Sequence, residues 1–315
     1  MSKIDEIING VLAGNRRKIA KAITIAESSP EEAKNLIASI YPHTGKAQII
    51  GLTGPGGAGK STLIEKMVRE YRRRGKTVGV IAVDPTSPFT GGAFLGDRIR
   101  MQELSTDEGV FIRSMATRNN PGGIAKATKD AVKILDAAGK DVIIVETVGA
   151  GQSEVEIIKV AQTIIVIHAP GLGDEIQAIK AGIMEIADIF VVNKADRENA
   201  DKAVMDIQAM LQLDNKEKPW TPPIIKTVAL TGEGVPKLIE KIEEHWQFLK
   251  KELLHKRSLE KAEAELIEAI KEKVTSSIIE KLKREKRFEK VLQQIVEREI
   301  DPASAAEKLL NQELE

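Results

Sequence analysis

The residues with the clearest chemical potential form one short run near the start of the chain. Residues 54–61 read Gly-Pro-Gly-Gly-Ala-Gly-Lys-Ser; they follow an apolar run that ends at Thr53 and precede a helical pattern. Glycines let backbone N–H groups approach phosphate oxygens, and a helix N-terminus adds the positive end of its dipole. Lys60 can contact the β- and γ-phosphates, and the hydroxyl of Ser61 can bind Mg²⁺. The run predicts a phosphate-binding loop for a nucleoside triphosphate, and its candidate residues are Gly54, Pro55, Gly56, Gly57, Ala58, Gly59, Lys60, Ser61 and Thr62.

A second polar motif predicts which base the nucleotide carries. Asn193-Lys194-Ala195-Asp196 follows an apolar run, about 130 residues after the phosphate loop. The carboxylate of Asp196 can accept hydrogen bonds from N1–H and the exocyclic amine of guanine, whereas adenine offers no matching pair of donors. We expect the Asn193 amide to face the base edge and the Lys194 stem to cover the ring. Four such residues alone also fit a polar turn, but their place at a strand end favours GTP and GDP over adenine nucleotides. Backbone groups after the last strand complete this base site, and the candidates there are Val228, Ala229 and Leu230.

Two acidic residues at predicted strand ends suggest a magnesium site. Asp84 follows Val-Ile-Ala-Val, and Glu146 follows Ile-Ile-Val. Mg²⁺ keeps several waters and takes few protein ligands, so outer-sphere carboxylates are expected beside Ser61. Many small GTPases have Asp-x-x-Gly where this chain has Glu-Thr-Val-Gly, and Gly149 keeps a backbone N–H suited to sensing the γ-phosphate. A purely structural role for either acid is disfavoured, because an unpaired carboxylate at a buried strand end is costly.

The elements that must position these residues alternate between apolar strands and helices. The predicted strands are Gln48–Thr53, Thr77–Val83, Val110–Ser114, Val142–Glu146, Thr163–His168, Ile189–Asn193 and Ile224–Ala229. Several are continuous Val/Ile runs, which are typical of strands covered on both faces. The pattern predicts an α/β fold with a doubly wound, mainly parallel sheet, in which ligands bind at the carboxyl ends of the strands.

The two ends of the chain have helical patterns only. We predict a helical extension over residues 1–45, a P-loop domain over 46–249 and a helical arm over 250–315. Ser29-Pro30 is interpreted as a capped helix start, and Asp301-Pro302 as the start of the last helix. A stripe at helical spacing predicts a long amphipathic helix in the arm, and its residues are Leu259, Ala262, Leu266, Ile270, Val274 and Ile278. This helix either packs on its own domain or forms a dimerisation element.

Composition excludes several other classes of function. Lys plus Arg number 47 and Asp plus Glu number 47, so no net field favours nucleic acid or acidic membranes. The absence of cysteine excludes disulfides, thiolate catalysis and cysteine-bound zinc, and the four histidines have no metal-ligand spacing. No apolar run approaches the ~20 residues that a membrane span needs. The first residues resemble neither a secretory signal nor a transit peptide, which predicts a cytoplasmic protein.

With these residues assembled, the chain closely resembles the MeaB/MMAA/ArgK-type GTPases, which are accessory proteins of adenosylcobalamin-dependent methylmalonyl-CoA mutase. Residues 84–92 and 95–98 resemble the first switch region of that family, and residues 146–154 resemble the second. Residues 170–182 resemble a third switch that contacts the mutase. The resemblance covers roughly residues 5–250, and the tail is similar in character only.

The resemblance implies a homodimeric GTPase chaperone that binds the mutase, or a related cobalamin-dependent acyl-CoA mutase, without binding cobalamin directly. Nucleotide state then governs cofactor delivery and the removal of damaged cobalamin. The implied catalytic residues are Lys60, Asp97, Glu146 and Gly149, and the implied metal-site residues are Ser61, Asp84, Asp97 and Glu146. Arg98 or Arg100 could neutralise phosphate charge, or form a surface salt bridge. The implied partner-sensing residues are Asp174, Glu175, Gln177 and Lys180; a solvated loop is the alternative.

One departure from familiar small GTPases bears on the hydrolysis rate. Ala150 follows Gly149, so no glutamine stands where a water-orienting glutamine commonly does, and Gln152 is displaced. We therefore expect slow GTP hydrolysis in isolation and acceleration when the mutase orders the switch segments.

Other functions of P-loop proteins are less compatible with the sequence. A nickel-insertion GTPase typically carries His-rich or Cys-His metal sites, which this sequence does not have. An ArgK-type kinase linked to amino-acid transport needs a positioned catalytic base, and none is evident. A signal-recognition GTPase needs an RNA- or peptide-binding domain, which a neutral tail poor in methionine does not offer.

Overall fold

Val- and Ile-rich runs form one parallel sheet in the computed structural model, which describes residues 2–84, 101, 103–116, 126–147, 157–171, 183–213 and 219–314. The described strands are β1 Gln48–Thr53, β2 Val78–Asp84, β3 Val110–Ala116, β4 Val142–Thr147, β5 Thr163–His168, β6 Ile189–Asn193 and β7 Ile224–Thr227. Their order is β3-β2-β4-β1-β5-β6-β7, and every neighbouring pair is parallel. The predicted α/β class with a doubly wound sheet is confirmed.

Helices and short turns connect these strands and follow them. The described helices are α1 Lys3–Leu12, α2 Arg16–Ser28, α3 Pro30–Ile40, α4 Lys60–Arg73, α5 Lys126–Ala137, α6 Ile183–Ile186, α7 Ala200–Leu213, α8 Val235–Phe248, α9 Leu254–Arg284, α10 Arg287–Val296 and α11 Pro302–Leu314. Single 3₁₀ turns lie at Tyr41–His43, Glu103–Thr106 and Ile157–Lys159, and a π-helical turn lies at Leu249–Leu253. No helix in the described ranges is both long and apolar enough to cross a membrane.

The sheet has one apolar core on each face. On one face Leu52, Ile144 and Ile165 pack with side chains of α4 and α8. On the other face Val145 and Val166 pack with side chains of α5 and of the N-terminal helices α1–α3. The odd and even positions of each strand thus face different helices, as the continuous apolar runs indicated.

A buried carboxylate fixes the chain where it enters the first strand. Asp136 on α5 accepts hydrogen bonds from the backbone N–H groups of Gly45, Lys46 and Ala47, at 2.6, 3.1 and 2.9 Å. Since β1 leads directly into the phosphate loop, this anchor also sets the start of the strand that carries the loop.

Ion pairs hold the helix that starts at the phosphate loop against its neighbour. Glu70 on α4 accepts hydrogen bonds from Arg73 and Arg74, and Arg74 also contacts Glu243 on α8. The hydrogen bond from Arg73, followed by that from Arg74, lowers the pKa of Glu70 against the opposing effect of burial. The carboxylate therefore keeps its charge, and with it these contacts, well into mildly acidic solution.

Several details of the predicted elements need correction. The strands β2, β3 and β4 end at Asp84, Ala116 and Thr147, which is one, two and one residues later than predicted. The last strand ends at Thr227 rather than Ala229, because Val228 forms an isolated antiparallel bridge with Glu233 and the chain turns. The second strand begins at Val78, one residue later than predicted. Ser29 precedes α3, but its side chain makes no capping hydrogen bond.

The chain packs as two units, Met1–Leu249 and Lys250–Glu315. The second unit contains the three helices α9, α10 and α11. Asp301 caps α11 as predicted, since its Oδ1 accepts from the backbone N–H groups of Ala303 and Ser304 at 2.9 and 3.1 Å. Among the residues described in this unit, only Leu282 and Ala305 are buried.

Candidate functional site

The phosphate loop leaves β1 through a glycine that no other residue could replace without strain. Gly54 has φ of +142°, and a Cβ atom there would lie 2.2 Å from the carbonyl oxygen of Ile167 on β5. Gly59 has φ of +93°, and a Cβ atom there would lie 2.4 Å from Nδ2 of Asn193. The loop therefore lies in close contact with the ends of β5 and β6. Helix α4 begins at the next residue, Lys60.

The cationic and hydroxyl side chains of the loop are held by protein oxygens. Nζ of Lys60 donates to the carbonyl oxygens of Gly54 and Pro55 at 2.7 and 3.1 Å. Oγ of Ser61 donates to Oε1 of Glu146 at 3.0 Å. Both contacts are buried, so the two side chains have fixed positions over the loop. A lysine in this position can exchange carbonyl oxygens for phosphate oxygens, which are stronger acceptors because they carry charge.

The Ser61–Glu146 pair fits the preference of Mg²⁺ for oxygen ligands. Glu146 is the next-to-last residue of β4, beside Leu52 of β1, and its side chain is buried on the α4 face of the sheet. The hydroxyl and the carboxylate lie 3.0 Å apart. Their oxygen atoms are suitable for direct and water-mediated contacts with this ion. Asp84 ends β2, but its side chain lies outside the described part of the structure.

One buried amide joins the phosphate loop to the segments predicted to bind the base. Nδ2 of Asn193 donates to the carbonyl oxygen of Ala58 at 2.8 Å. Oδ1 of Asn193 accepts from Oγ1 of Thr227 at 3.1 Å and from the backbone N–H of Ala229 at 3.0 Å. The sequence predicts that this amide faces the base, but two protein donors occupy its oxygen, which leaves one N–H for a ligand.

Thr227 was missed by sequence reasoning. Its hydroxyl donates to the Asn193 oxygen and so determines which end of the amide faces the phosphate loop. The only sequence signal is a hydroxyl residue at the last position of β7, two residues before Ala229.

The neighbouring lysine repeats this bridging contact. Nζ of Lys194 donates to the carbonyl oxygen of Gly57 at 2.6 Å, and the residue has φ of +57°. Adjacent residues of the Asn-Lys-Ala-Asp motif thus bind adjacent carbonyl groups of the phosphate loop. Asp196 is exposed in the turn that follows, and Leu230 in the opposite loop is 79% exposed. Both are accessible to a ligand.

Many of the predicted switch residues fall outside the described ranges. These residues are Asp97, Arg98, Arg100, Gly149, Ala150, Gln152, Asp174, Glu175, Gln177 and Lys180. Within the ranges that are described, no three His, Cys, Asp or Glu side chains group as a metal site. His245 instead packs in the core, where Nδ1 lies 2.9 Å from Oγ1 of Thr163 and the ring lies 4.8 Å from that of Trp220.

The parallel sheet and the Gly-rich loop at the start of α4 together define a P-loop nucleoside triphosphatase. A family described as "Methylmalonyl Co-A mutase-associated GTPase MeaB" matches residues 19–283. The chain belongs to this family and is a GTPase, which confirms the predicted resemblance.

Individual relatives agree with this assignment. A protein of Pyrococcus horikoshii named as a GTPase is 54% identical over 315 residues, covering 98% of each chain. The mouse protein named methylmalonic aciduria type A homolog, mitochondrial, is 34% identical over 274 residues, covering 81% of this chain and 66% of its own. A crystal structure of a protein named LAO/AO transport system kinase superimposes with a TM-score of 0.74 at 25% identity, covering 100% of this chain and 99% of that one.

The packing of Gly54 yields a testable prediction. Gly54→Ala should lower the free energy of unfolding by roughly 3 kcal/mol or more, because the added Cβ overlaps a backbone carbonyl and φ is positive. Gly56→Ala is the matched control: no atom lies within 4 Å of its added Cβ. It should therefore change stability by less than about 1 kcal/mol. Urea unfolding of the nucleotide-free proteins measures both. Equal stabilities of the two variants would show that residue 54 does not lie this close to the carbonyl group of Ile167.

Proposed function

We propose that this GTPase is a chaperone that controls the loading of adenosylcobalamin into methylmalonyl-CoA mutase, or a related acyl-CoA mutase, and protects or reactivates that enzyme. The observation that carries the proposal is the match over residues 19–283 to a family described as mutase-associated. The name of the mouse relative, which refers to methylmalonic aciduria, is consistent with the same metabolic role.

In this proposal the hydrogen bonds of Lys60 and Ser61 within the protein change when the nucleotide binds. Lys60 transfers its hydrogen bonds from Gly54 and Pro55 to the β- and γ-phosphates. Ser61 and Glu146 would hold Mg²⁺, which would supply positive charge to neutralise the phosphates. Asp97 and Gly149 are proposed to complete the site from the switch segments, and Asp84 from the end of β2.

Guanine recognition is assigned to the exposed side of the same site. Asp196 accepts from N1–H and the exocyclic amine of guanine, and the remaining N–H of Asn193 faces the base. Lys194 covers one face of the ring, while Val228, Ala229 and Leu230 border it. Because Asn193 and Lys194 also hold Ala58 and Gly57, base binding and phosphate binding are positioned by the same side chains.

The role of Asp196 can be tested by changing only its hydrogen-bonding character. Asp196→Asn should weaken GDP binding roughly 10- to 100-fold, because an amide supplies one acceptor where guanine presents two donors. Xanthosine diphosphate carries a carbonyl in place of the exocyclic amine, so the same variant should gain affinity for it. Glu198→Gln, an exposed carboxylate in the same turn, is the matched control and should change neither affinity. Calorimetry with both nucleotides gives the answer, and unchanged GDP affinity in the Asp196 variant would overturn the assignment.

The chaperone role is tested by binding and turnover with purified cobalamin-dependent mutases. We expect the mutase to co-purify with this protein and its affinity to differ between GDP and a non-hydrolysable GTP analogue. Single-turnover GTP hydrolysis should be slow alone and faster with the cognate mutase, since the partner stabilises the closed switch segments. No binding to any mutase in either nucleotide state, or equal hydrolysis rates with and without it, would contradict the proposal.

A kinase, the activity that the name of the structurally similar protein states, is the alternative. It requires transfer of the γ-phosphate to a hydroxyl group, so γ-labelled GTP should then leave label on protein or substrate. The proposed GTPase releases the label as inorganic phosphate instead.

We also propose that the second unit mediates a homodimer through α9. Five large apolar side chains of this helix are exposed. Ile267 is 45% exposed, and the other four are Leu259 at 63%, Leu266 at 61%, Ile270 at 52% and Val274 at 50%. These four recur at spacings of seven, four and four residues, which places them along one side of the helix. A stripe of this length is normally covered in a stable soluble protein.

Self-association therefore should depend on the stripe. Ile270→Glu should weaken dimerisation at least about tenfold, because a carboxylate would be buried without a partner in the interface. Thr275→Glu adds the same side chain at an exposed position outside the stripe and should leave the dimer intact. Analytical ultracentrifugation over a range of concentrations distinguishes the two. A wild-type protein that stays monomeric at all concentrations would refute the dimer.

A further inference from the structure

Two buried threonines end neighbouring strands on the face of the sheet away from α4. Thr53 is the last residue of β1, immediately before the phosphate loop, and Thr147 is the last residue of β4, immediately after Glu146. The register pairs Leu52 with Glu146, so Thr53 and Thr147 are the next neighbours along this pair of strands. Because side chains alternate, both lie on the opposite face from Glu146 and Ser61.

Both hydroxyl groups are removed from solvent. Thr53 is 0% exposed and Thr147 is 1% exposed, and among the described residues neither Oγ1 atom has a hydrogen-bond partner. A buried hydroxyl without a partner is destabilising, and buried polar groups in native proteins are nearly always satisfied by protein or by ordered water. Valine has almost the same shape and could fill either position without this cost. Two such hydroxyls on adjacent strand ends therefore indicate a shared partner.

Another polar residue, on β5, lies near the two threonines on this face of the sheet. Thr53 is paired on its other side with Val166 of β5, and the buried His168 lies two residues further along the same face. Three adjacent strands, β4, β1 and β5, thus each place a polar residue at their carboxyl ends on this face. An ordered buried water needs two to four polar partners, and two neighbouring hydroxyls provide the minimum.

We propose that Thr53 and Thr147 bind one ordered water molecule between their hydroxyl groups. This water links the end of the strand that carries the phosphate loop to the end of the strand that carries Glu146. It lies behind the nucleotide site rather than in it, so it is present whether or not nucleotide or a mutase is bound. Its role is to fix the spacing between the phosphate loop and the Glu146 carboxylate.

A double-mutant cycle on the nucleotide-free protein tests the bridge. Thr53→Val and Thr147→Val should each lower the melting temperature by roughly 2–4 °C, since each leaves the other hydroxyl and the water with a missing partner. The double variant should lose no more than either single variant, because the first substitution already removes the bridge. Single variants that are unchanged or more stable, or losses that add, would overturn the proposal.

A control pair establishes that the coupling is local. Thr163 lies at the opposite end of β5, and its hydroxyl already contacts Nδ1 of His245 at 2.9 Å. Thr163→Val should therefore destabilise the protein on its own, and its effect should add to that of Thr53→Val. Non-additivity in this distant pair would show that the cycle reports a global change instead of a bridge.

A high-resolution crystal structure identifies the bridging group. The expected result is density for a water within about 2.7–3.0 Å of both Oγ1 atoms, absent in the Thr147→Val variant. Direct contact between the two hydroxyls, or a protein group from residues 148–156 in place of the water, would refute the proposal even if the cycle shows coupling. Neither experiment requires GTP or a mutase, so failure here leaves the proposed chaperone role unaffected.

Discussion

The buried amide of Asn193 is the interaction on which the geometry of the site depends. Its two ends contact three separate segments: the phosphate loop at Ala58, the end of β7 at Thr227 and the following loop at Ala229. A single hydrogen bond contributes only about 1 kcal/mol, but removing a buried amide leaves several partners unpaired at once. Gly59 is required by the same contact, because any side chain there would collide with Nδ2. The same amide therefore fixes the positions of the phosphate loop and of the segments proposed to bind the base relative to each other.

The charged and hydroxyl groups of the loop illustrate how such a site stays folded without a ligand. An ammonium group as buried as that of Lys60 is tolerated because two carbonyl oxygens accept hydrogen bonds from it. Glu146 likewise accepts from Ser61 at the end of a buried strand. In the proposed site, nucleotide binding would exchange existing hydrogen bonds for charge-assisted ones, so the affinity would reflect the difference between the two sets. This arrangement keeps the loop ordered and limits the entropy that a ligand must remove.

The sequence predicts buried strands well, but it predicts turns and side-chain orientations poorly. The bounds of β1, β5 and β6 were predicted correctly, because runs of Val and Ile between polar residues are typical of strands buried on both faces. The end of β7 was wrong, since Val228 and Ala229 continue the apolar run although they lie in a turn. The orientation of the Asn193 amide could not be predicted. It depends on the distance from β6 to the phosphate loop and on the Thr227 hydroxyl, and neither leaves a periodic trace in the sequence.

Among its described residues, the second unit has few buried side chains that could stabilise it. Helix α9 has 31 residues and so extends for about 45 Å. A helix in water gains most of its stability by burying an apolar face, and the described residues of this unit bury little beyond Leu282 and Ala305. The exposed leucine, isoleucine and valine side chains of α9 therefore provide apolar surface that a partner could bury. If a second copy covers them, the stability of this unit depends on protein concentration. The sheet differs, because it has an apolar core on each face within the first unit.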